Sequence, residues 1–356
     1  MSVFIDFHVL QTVPPSCVNR DDMGSPKTAI YGGSVRARVS SQAWKHAVRN
    51  EFRSLFNEED LGSRTKNVVQ MVEREMQKLN SELDNDECHK RAVKALEVAG
   101  IKLKADKKGD SEKTDALFFM SNKQAKAIAK LAVELDLKDK ETSKRLKEAL
   151  KTDPSVDIAL FGRMAASDPT LNCDAAAQVA HAISTHTVQN EYDYFTAIDD
   201  LQPDENAGAG HLGTVEFNSS TLYRYAAVNV TELAETLGAK SVGETVKKFA
   251  QAFVLSMPTG KENTFANRTF PNMVYVTLRS DQPVNLCGAF ETPIKKSDKG
   301  YAEASESKLL EYAEKVYYQY AAKPDAAWLN DLSSELSFPE LLSELEKAVN
   351  DRINEV

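Results

Sequence analysis

The chain has 356 residues, 42% hydrophobic and 27% charged, with 44 Lys and Arg against 53 Asp and Glu for a net charge of −9. That balance suits a globular protein and excludes both a disordered polyelectrolyte and a uniformly basic nucleic-acid coat. No apolar run approaches a membrane span, and Met1-Ser2-Val3-Phe4-Ile5-Asp6 places an acid where a secretion signal needs apolar residues, so a cytoplasmic protein without membrane attachment is expected.

Residues 4–9 alternate Ile5, Phe7 and Val9 with Phe4, Asp6 and His8, which predicts a strand ended by Pro14-Pro15. Residues 18–53 then form a basic island in an acidic chain. Arg20, Lys27, Arg36, Arg38, Lys45, Arg49 and Arg53 stand against Asp21, Asp22 and Glu51. Gly32-Gly33 supplies a turn between two short strands, 29–31 and 35–39. In the second strand Ser34, Arg36, Arg38 and Ser40 alternate with Val35, Ala37 and Val39, so a polar and an apolar face are expected.

Ser40 or Ser41 can cap the helix that follows. Trp44, Ala47, Val48, Phe52 and Leu55 fall on its apolar stripe, with Lys45, Arg49 and Arg53 on a neighbouring face. An arginine-bearing strand running into a basic helix, with hydroxyls and amides at the helix start, is a phosphate-binding corner. The bland alternative is that these cations are simply the wet face of an amphipathic helix.

Charge-rich helices dominate residues 65–151, where Val68, Val72, Met76, Leu79 and Leu83 mark one stripe. Further helices are predicted near 86–99, 122–134 and 141–150. Residues 102–113 read as a solvated loop. The lysines at 138, 140, 144 and 147 read as a solvated face. A strand is expected at 156–160 and an alanine-rich helix at 172–184. Residues 192–218 have few helix formers, a loop at 203–213 and alternation at 214–217. A strand at 222–230, a helix at 242–257, a strand at 273–278 and helices at 303–320 and 339–356 complete the chain. The outer parts thus give strand, helix, strand twice over, with a helical and a loop-rich block interposed. A ferredoxin-like or RRM-like core with two insertions is one α+β fold among several that fit.

Sites of catalysis are hard to find. Gly208-x-Gly210-x-x-Gly213 matches the dinucleotide fingerprint in form, but it leads into the strand-like 214–217 where that motif needs a helix. His181 and His186 are five apart and cannot converge on a metal from one helix. His8, His46, His89 and His211 lack companions, and structural or surface roles are expected for all six histidines. Cys17, Cys88, Cys173 and Cys287 form no CxxC pair. Asp21-Asp22 and Asp199-Asp200 read as capping or solvated acids rather than metal ligands, so no metal or cofactor is expected.

Asn19-Arg20-Asp21-Asp22-Met23, Gly32-Gly33, Arg38-Val39-Ser40-Ser41-Gln42 and Lys45 resemble the N-terminal signature of the CRISPR type I-E Cascade backbone subunits (the CasC family). Val156-Asp157-Ile158-Ala159-Leu160, Gly162-Arg163-Met164-Ala165, Ala180-His181-Ala182-Ile183, Phe195-Thr196-Ala197, Asp199-Asp200-Leu201, His211-Leu212-Gly213-Thr214, Glu216-Phe217 and Tyr223-Arg224-Tyr225-Ala226 follow in order.

The resemblance implies an RRM-like palm (1–56, 182–191 and 222–356), a helical fingers insertion (57–181) and a thumb β-hairpin (192–221). It implies a non-catalytic, crRNA-binding filament subunit. Copies would run head to tail along the guide RNA, which pairs with target DNA, with other Cascade subunits as partners. Arg20, Lys27, Arg38, Ser40, Gln42, Lys45 and Arg49 match positions that hold the guide backbone. Arg36 and Ser41 join them by proximity. Met164, after Arg163, matches a finger-loop wedge. Phe195, after Tyr194, belongs with His211 and Leu212 to the thumb that displaces a base at intervals. The alternative is an RRM-like endoribonuclease acting on precursor RNA, for which His8 and His46 are the N-terminal candidates.

Overall fold

The computed structural model describes residues 2–105, 112–165, 168–196, 201 and 212–355. Along the chain run β1 (Phe4–Ser16), β2 (Thr28–Tyr31), β3 (Ser34–Val39), α1 (Ser41–Leu55), β4 (Gly62–Thr65), α2 (Val68–Leu79) and α3 (Asn85–Val98). Then come β5 (Leu103–Ala105), β6 (Glu112–Thr114), β7 (Phe118–Ser121), α4 (Asn122–Glu134), α5 (Lys140–Ala149) and α6 (Val156–Phe161). Next are β8 (Ala177–Val179), β9 (Ala182–Ser184), β10 (Glu191–Thr196), β11 (Leu212–Asn229), α7 (Val230–Leu237), α8 (Val242–Leu255) and α9 (Glu262–Phe265). The chain closes with β12 (Met273–Arg279), α10 (Ala302–Gln319), β13 (Ala326–Asp331) and α11 (Phe338–Asn354).

Among the described residues an antiparallel sheet has the order β13-β12-β1-β11-β9-β3-β2, with β8 and β10 also pairing β11. β1 lies inside it between β12 and β11 and is covered on both faces. Ile5, Phe7 and Val9 face a core closed by α1, α6, α7, α8 and α11, where Phe7 meets Phe249 at 5.5 Å between ring centroids. Leu10 faces a second core built with Tyr223, Phe290 and residues of α10. Each large apolar side chain so buried contributes about 1.5–3 kcal/mol. A separate core within residues 68–171 holds α2, α3, α4 and α5 together. Ser121 starts α4 with a capping box shared with Gln124.

Several expectations need correction. Pro14-Pro15 does not end β1, which runs to Ser16. The prolines cannot donate ladder bonds, and the register with β11 shifts between Val13 and Ser16 instead. Residues 156–161 are helix α6 rather than a strand; a short apolar run does not distinguish the two. The expected alanine-rich helix at 172–184 is instead β8 and β9, whose pairing with β11 overrides alanine's helix propensity. The expected loop at 102–113 contains the paired β5 and β6. Sequence reading missed β13 and α7. No helix among the described residues is long and apolar enough to cross a membrane.

Candidate nucleic-acid interface

Gly32 and Gly33, at φ +56° and +73°, turn β2 into β3 through a hairpin no β-branched residue would make. Upstream, residues 19–27 fold back on that hairpin. Asp21 Oδ1 accepts from the backbone N–H groups of Met23 and Ser25 at 2.9 and 3.0 Å, so this acid caps a turn. Lys27 N–H donates to Asn19 O and Arg38 N–H to Lys27 O, both at 2.8 Å. Asn19 Oδ1 accepts from Ser40 N–H at 2.9 Å, and Ser40 Oγ caps α1 through Ala43 N–H. The loop, strand and helix start are thereby locked into one corner. Arg20, Lys27, Arg38, Ser40, Ser41, Gln42 and Lys45 come from these three elements, and Arg20 and Gln42 are exposed.

A small pocket lies beside the corner. Asn19, Lys27 and Arg38 line it with Asn218, Ser220 and Leu222 of β11. β11 continues outward as one arm of the β10–β11 ribbon. There Tyr194 pairs with Thr214 and Phe195 with Gly213. Every residue of β10 is exposed, so both rings stand free of any core. His211 and the loop 202–210 lie outside the described residues, as do Asp199, Asp200 and the side chain of Leu212.

The cations differ in their freedom. Arg53 and Arg20 are exposed. Lys45 is half-buried, its ammonium 5.7 Å from the Phe161 ring centroid, and burial holds its pKa below the usual lysine value. Arg49 Nε lies 3.2 Å from Asp157 Oδ2 and its guanidinium sits over Phe119. Arg38 donates from Nε to Thr28 O and from Nη1 to His181 Nδ1 at 3.2 Å. Sequence reading missed His181 as a neighbour of Arg38; the two are 143 residues apart and no local pattern joins them.

Two expected RNA contacts are corrected. Arg36 is fully buried and donates to Ser184 O, Phe290 O and Ser34 Oγ. Arg163 is also buried, and it donates to Leu171 O, Phe119 O, Leu150 O and Gln124 Oε1. Their guanidiniums are committed to carbonyls and cannot reach a phosphate. The residue after Arg163 behaves differently: Met164 is 85% exposed, following Gly162 at φ +76°.

Of the two histidines considered for RNA cleavage, His8 is buried and His46 is on the surface. His8 is enclosed against Tyr223, Tyr225 and Tyr275, its Nδ1 2.8 Å from Tyr223 Oη. Burial, helped by Arg279, pushes its pKa down to about 3. His46 is exposed, with Nε2 3.3 Å from Asn50 Nδ2. Among the described residues no group of three or more His, Cys, Asp or Glu is placed to hold a metal ion.

The model of the CT1975-like protein family matches residues 5–355. A chain of a solved structure named "CRISPR RNA-guided surveillance complex, pre-nicking" is 32% identical, with 97% of this chain and 100% of that chain covered and a TM-score of 0.83. A second, named "CRISPR RNA-guided surveillance complex", is 28% identical, with 98% and 99% covered and a TM-score of 0.73. No curated protein matches. These findings agree with the family resemblance carried by the sequence motifs.

Proposed function

The chain belongs to the CT1975-like protein family, and from that premise we propose that it is the guide-RNA-binding backbone subunit of a type I-E CRISPR surveillance complex. The observation that carries this reading is the corner itself. Lys27 and Arg38 meet β11 at a small pocket close to the capped start of α1, and β11 continues into a ribbon of exposed aromatics. Cations hold a phosphate backbone without regard to sequence, and rings or thioethers displaced from any core wedge between bases equally indifferently. A guide holder needs both. Reading of the target is then left to pairing between guide and target DNA.

In this reading the β10–β11 ribbon is the thumb, Met164 is the finger wedge, and residues 57–181 are the fingers. The strand order β12-β1-β11-β9, with α1 and α8 on one face, supports an RRM-like palm. Copies would stack head to tail, each thumb over the RNA toward its neighbour, with other subunits of the complex at the ends. The endoribonuclease alternative lacks support from the geometry of His8 and His46.

Co-expression with a CRISPR guide RNA tests the proposal. The protein should co-purify with RNA, and the nuclease-protected length should grow as more copies are supplied. Metal-independent cutting of a precursor repeat, abolished by His46→Ala, would instead establish the endoribonuclease.

A further inference from the structure

His181 sits between β8 and β9, is exposed, and meets β3 where Arg38 pairs with Ile183. An arginine has donors only, so the Arg38 Nη1 contact at 3.2 Å requires a lone pair on His181 Nδ1. The neutral ring then carries its hydrogen on Nε2. The charged groups acting on the imidazole are Arg38, from β3, and Lys27, from the loop before β2. Partial burial and these two cations hold its pKa below the usual 6.5. A neutral ring with a donor of its own thus stands beside Arg38 and within the field of Lys27.

We propose that His181 is a further phosphate ligand for the RNA strand and that the protein takes up a proton there on binding. This rests on the guide-RNA reading. A phosphodiester placed between Lys27, Arg38 and His181 offsets the repulsion that keeps the ring neutral. Protonation of Nδ1 ends its bond from Arg38 and frees Nη1 for the phosphate. The imidazolium gives the phosphate a third cation.

Bound phosphate raises the ring's pKa above its free value, so affinity rises as pH falls through the bound-state pKa and levels off below the free-state pKa. Each unit of that rise is about tenfold in affinity.

The test measures binding of a single-stranded oligouridine from about pH 8 to about pH 5.5 at fixed salt, for wild type and His181→Asn. The ratio of the two affinities cancels every other titrating group. It should climb severalfold in favour of wild type as pH falls. NMR titration of the His181 ring should show its pKa lifted when RNA is bound. Tight binding with a ratio that stays constant across the range, or a ring pKa unmoved by RNA, overturns the role of His181 alone. Absence of RNA binding at every pH overturns the guide-RNA reading and this proposal with it.

Discussion

Arg49 on α1 and Asp157 on α6 face each other, Nε to Oδ2 at 3.2 Å, and Asp157 is the buried member of the pair. Asp157 also accepts from Gly62 N–H at 3.0 Å and Ser155 Oγ at 2.6 Å. One cation of the basic island therefore ties α1 to Asp157, and through it to Gly62 and Ser155, within residues 57–181. Lys45, one turn earlier, has an aromatic neighbour in place of a carboxylate. The two residues share a helix face, and under the guide-RNA proposal they divide two tasks.

Lys45→Ala should reduce the salt dependence of RNA binding by about 0.7 in log–log slope if it covers one phosphate, and should leave the melting temperature unchanged. Arg49→Ala should do more. It strips a buried carboxylate of its cation and should lower stability by about 1–3 kcal/mol, short of the loss for a fully buried pair because Arg49 is partly exposed. Salt titrations alongside thermal melts separate the effects. The division of tasks is wrong if Arg49→Ala melts with wild type and Lys45→Ala does not.

Phe195 offers a test of the ribbon. Its ring lies directly over Gly213, its register partner on β11, where an added Cβ would overlap it. Since the ring is exposed, Phe195→Ala should cost little stability, whereas a core phenylalanine would cost about 3–5 kcal/mol. Gly213→Ala should push the ring aside and reproduce the Phe195→Ala phenotype. Both variants should lose the periodic exposure of single nucleotides in chemical probing of assembled RNA, while bulk affinity persists. A periodic pattern that survives both changes contradicts the wedge.

These residues show what a sequence can and cannot disclose. The α1 stripe was legible because Trp44, Ala47, Val48 and Phe52 repeat at helical spacing, and all four are buried. The corner formed by residues 19–27, β3 and α1 was legible because its parts are adjacent in the chain. Arg36 was not, because the strand is covered on its supposedly wet face by Phe290, 254 residues away. Alternation locates two faces but does not say which side chains on each are covered. His181 escaped for the same reason: its partner Arg38 is distant in sequence. Residues 156–161 and 172–184 show tertiary context overriding local apolar pattern and alanine content.

Asp6 and His8 predict an unusual acid response. Asp6 Oδ1 accepts from Tyr225 Oη–H at 2.7 Å and Oδ2 from Val284 N–H at 3.0 Å, yet burial pushes its pKa from 3.8 up to about 6. The stability linked to a raised pKa is complete below the unfolded value of 3.8 and is lost as pH rises through about 6. That amounts to about 3 kcal/mol for about two units. His8, lowered from 6.5 to about 3, behaves oppositely: its contribution is complete above 6.5 and is lost as pH falls toward 3. Between about pH 6 and pH 4 the two slopes oppose each other. Asp6→Asn keeps an acceptor for Tyr225 and removes one slope. Its melting temperature should therefore fall more steeply than wild type across that range. Parallel curves would show that Asp6 does not titrate there.

Arg163 and Met164 are adjacent, yet one is buried and the other exposed. The Arg163 guanidinium reaches Leu150 O at 2.7 Å, Leu171 O and Gln124 Oε1, so it stitches together the ends of α4 and α5 with the turn before β8. Lysine has no planar fork and cannot replace those bonds. Arg163→Lys should therefore lower the melting temperature, and Arg163→Ala should lower it further by leaving several buried carbonyls without donors. Met164 leaves this framework beside a glycine at φ +76° and is exposed, so Met164→Ala should melt with wild type. Its effect should appear in the RNA instead. Losing a flexible apolar wedge should blur the periodic probing pattern without changing the salt slope. In the Arg163 variants that remain folded, the pattern should blur in step with the loss of stability, because the loop that presents the thioether loosens. A Met164→Ala protein that melts lower and leaves the RNA pattern intact would place the thioether in the core and remove it from the interface.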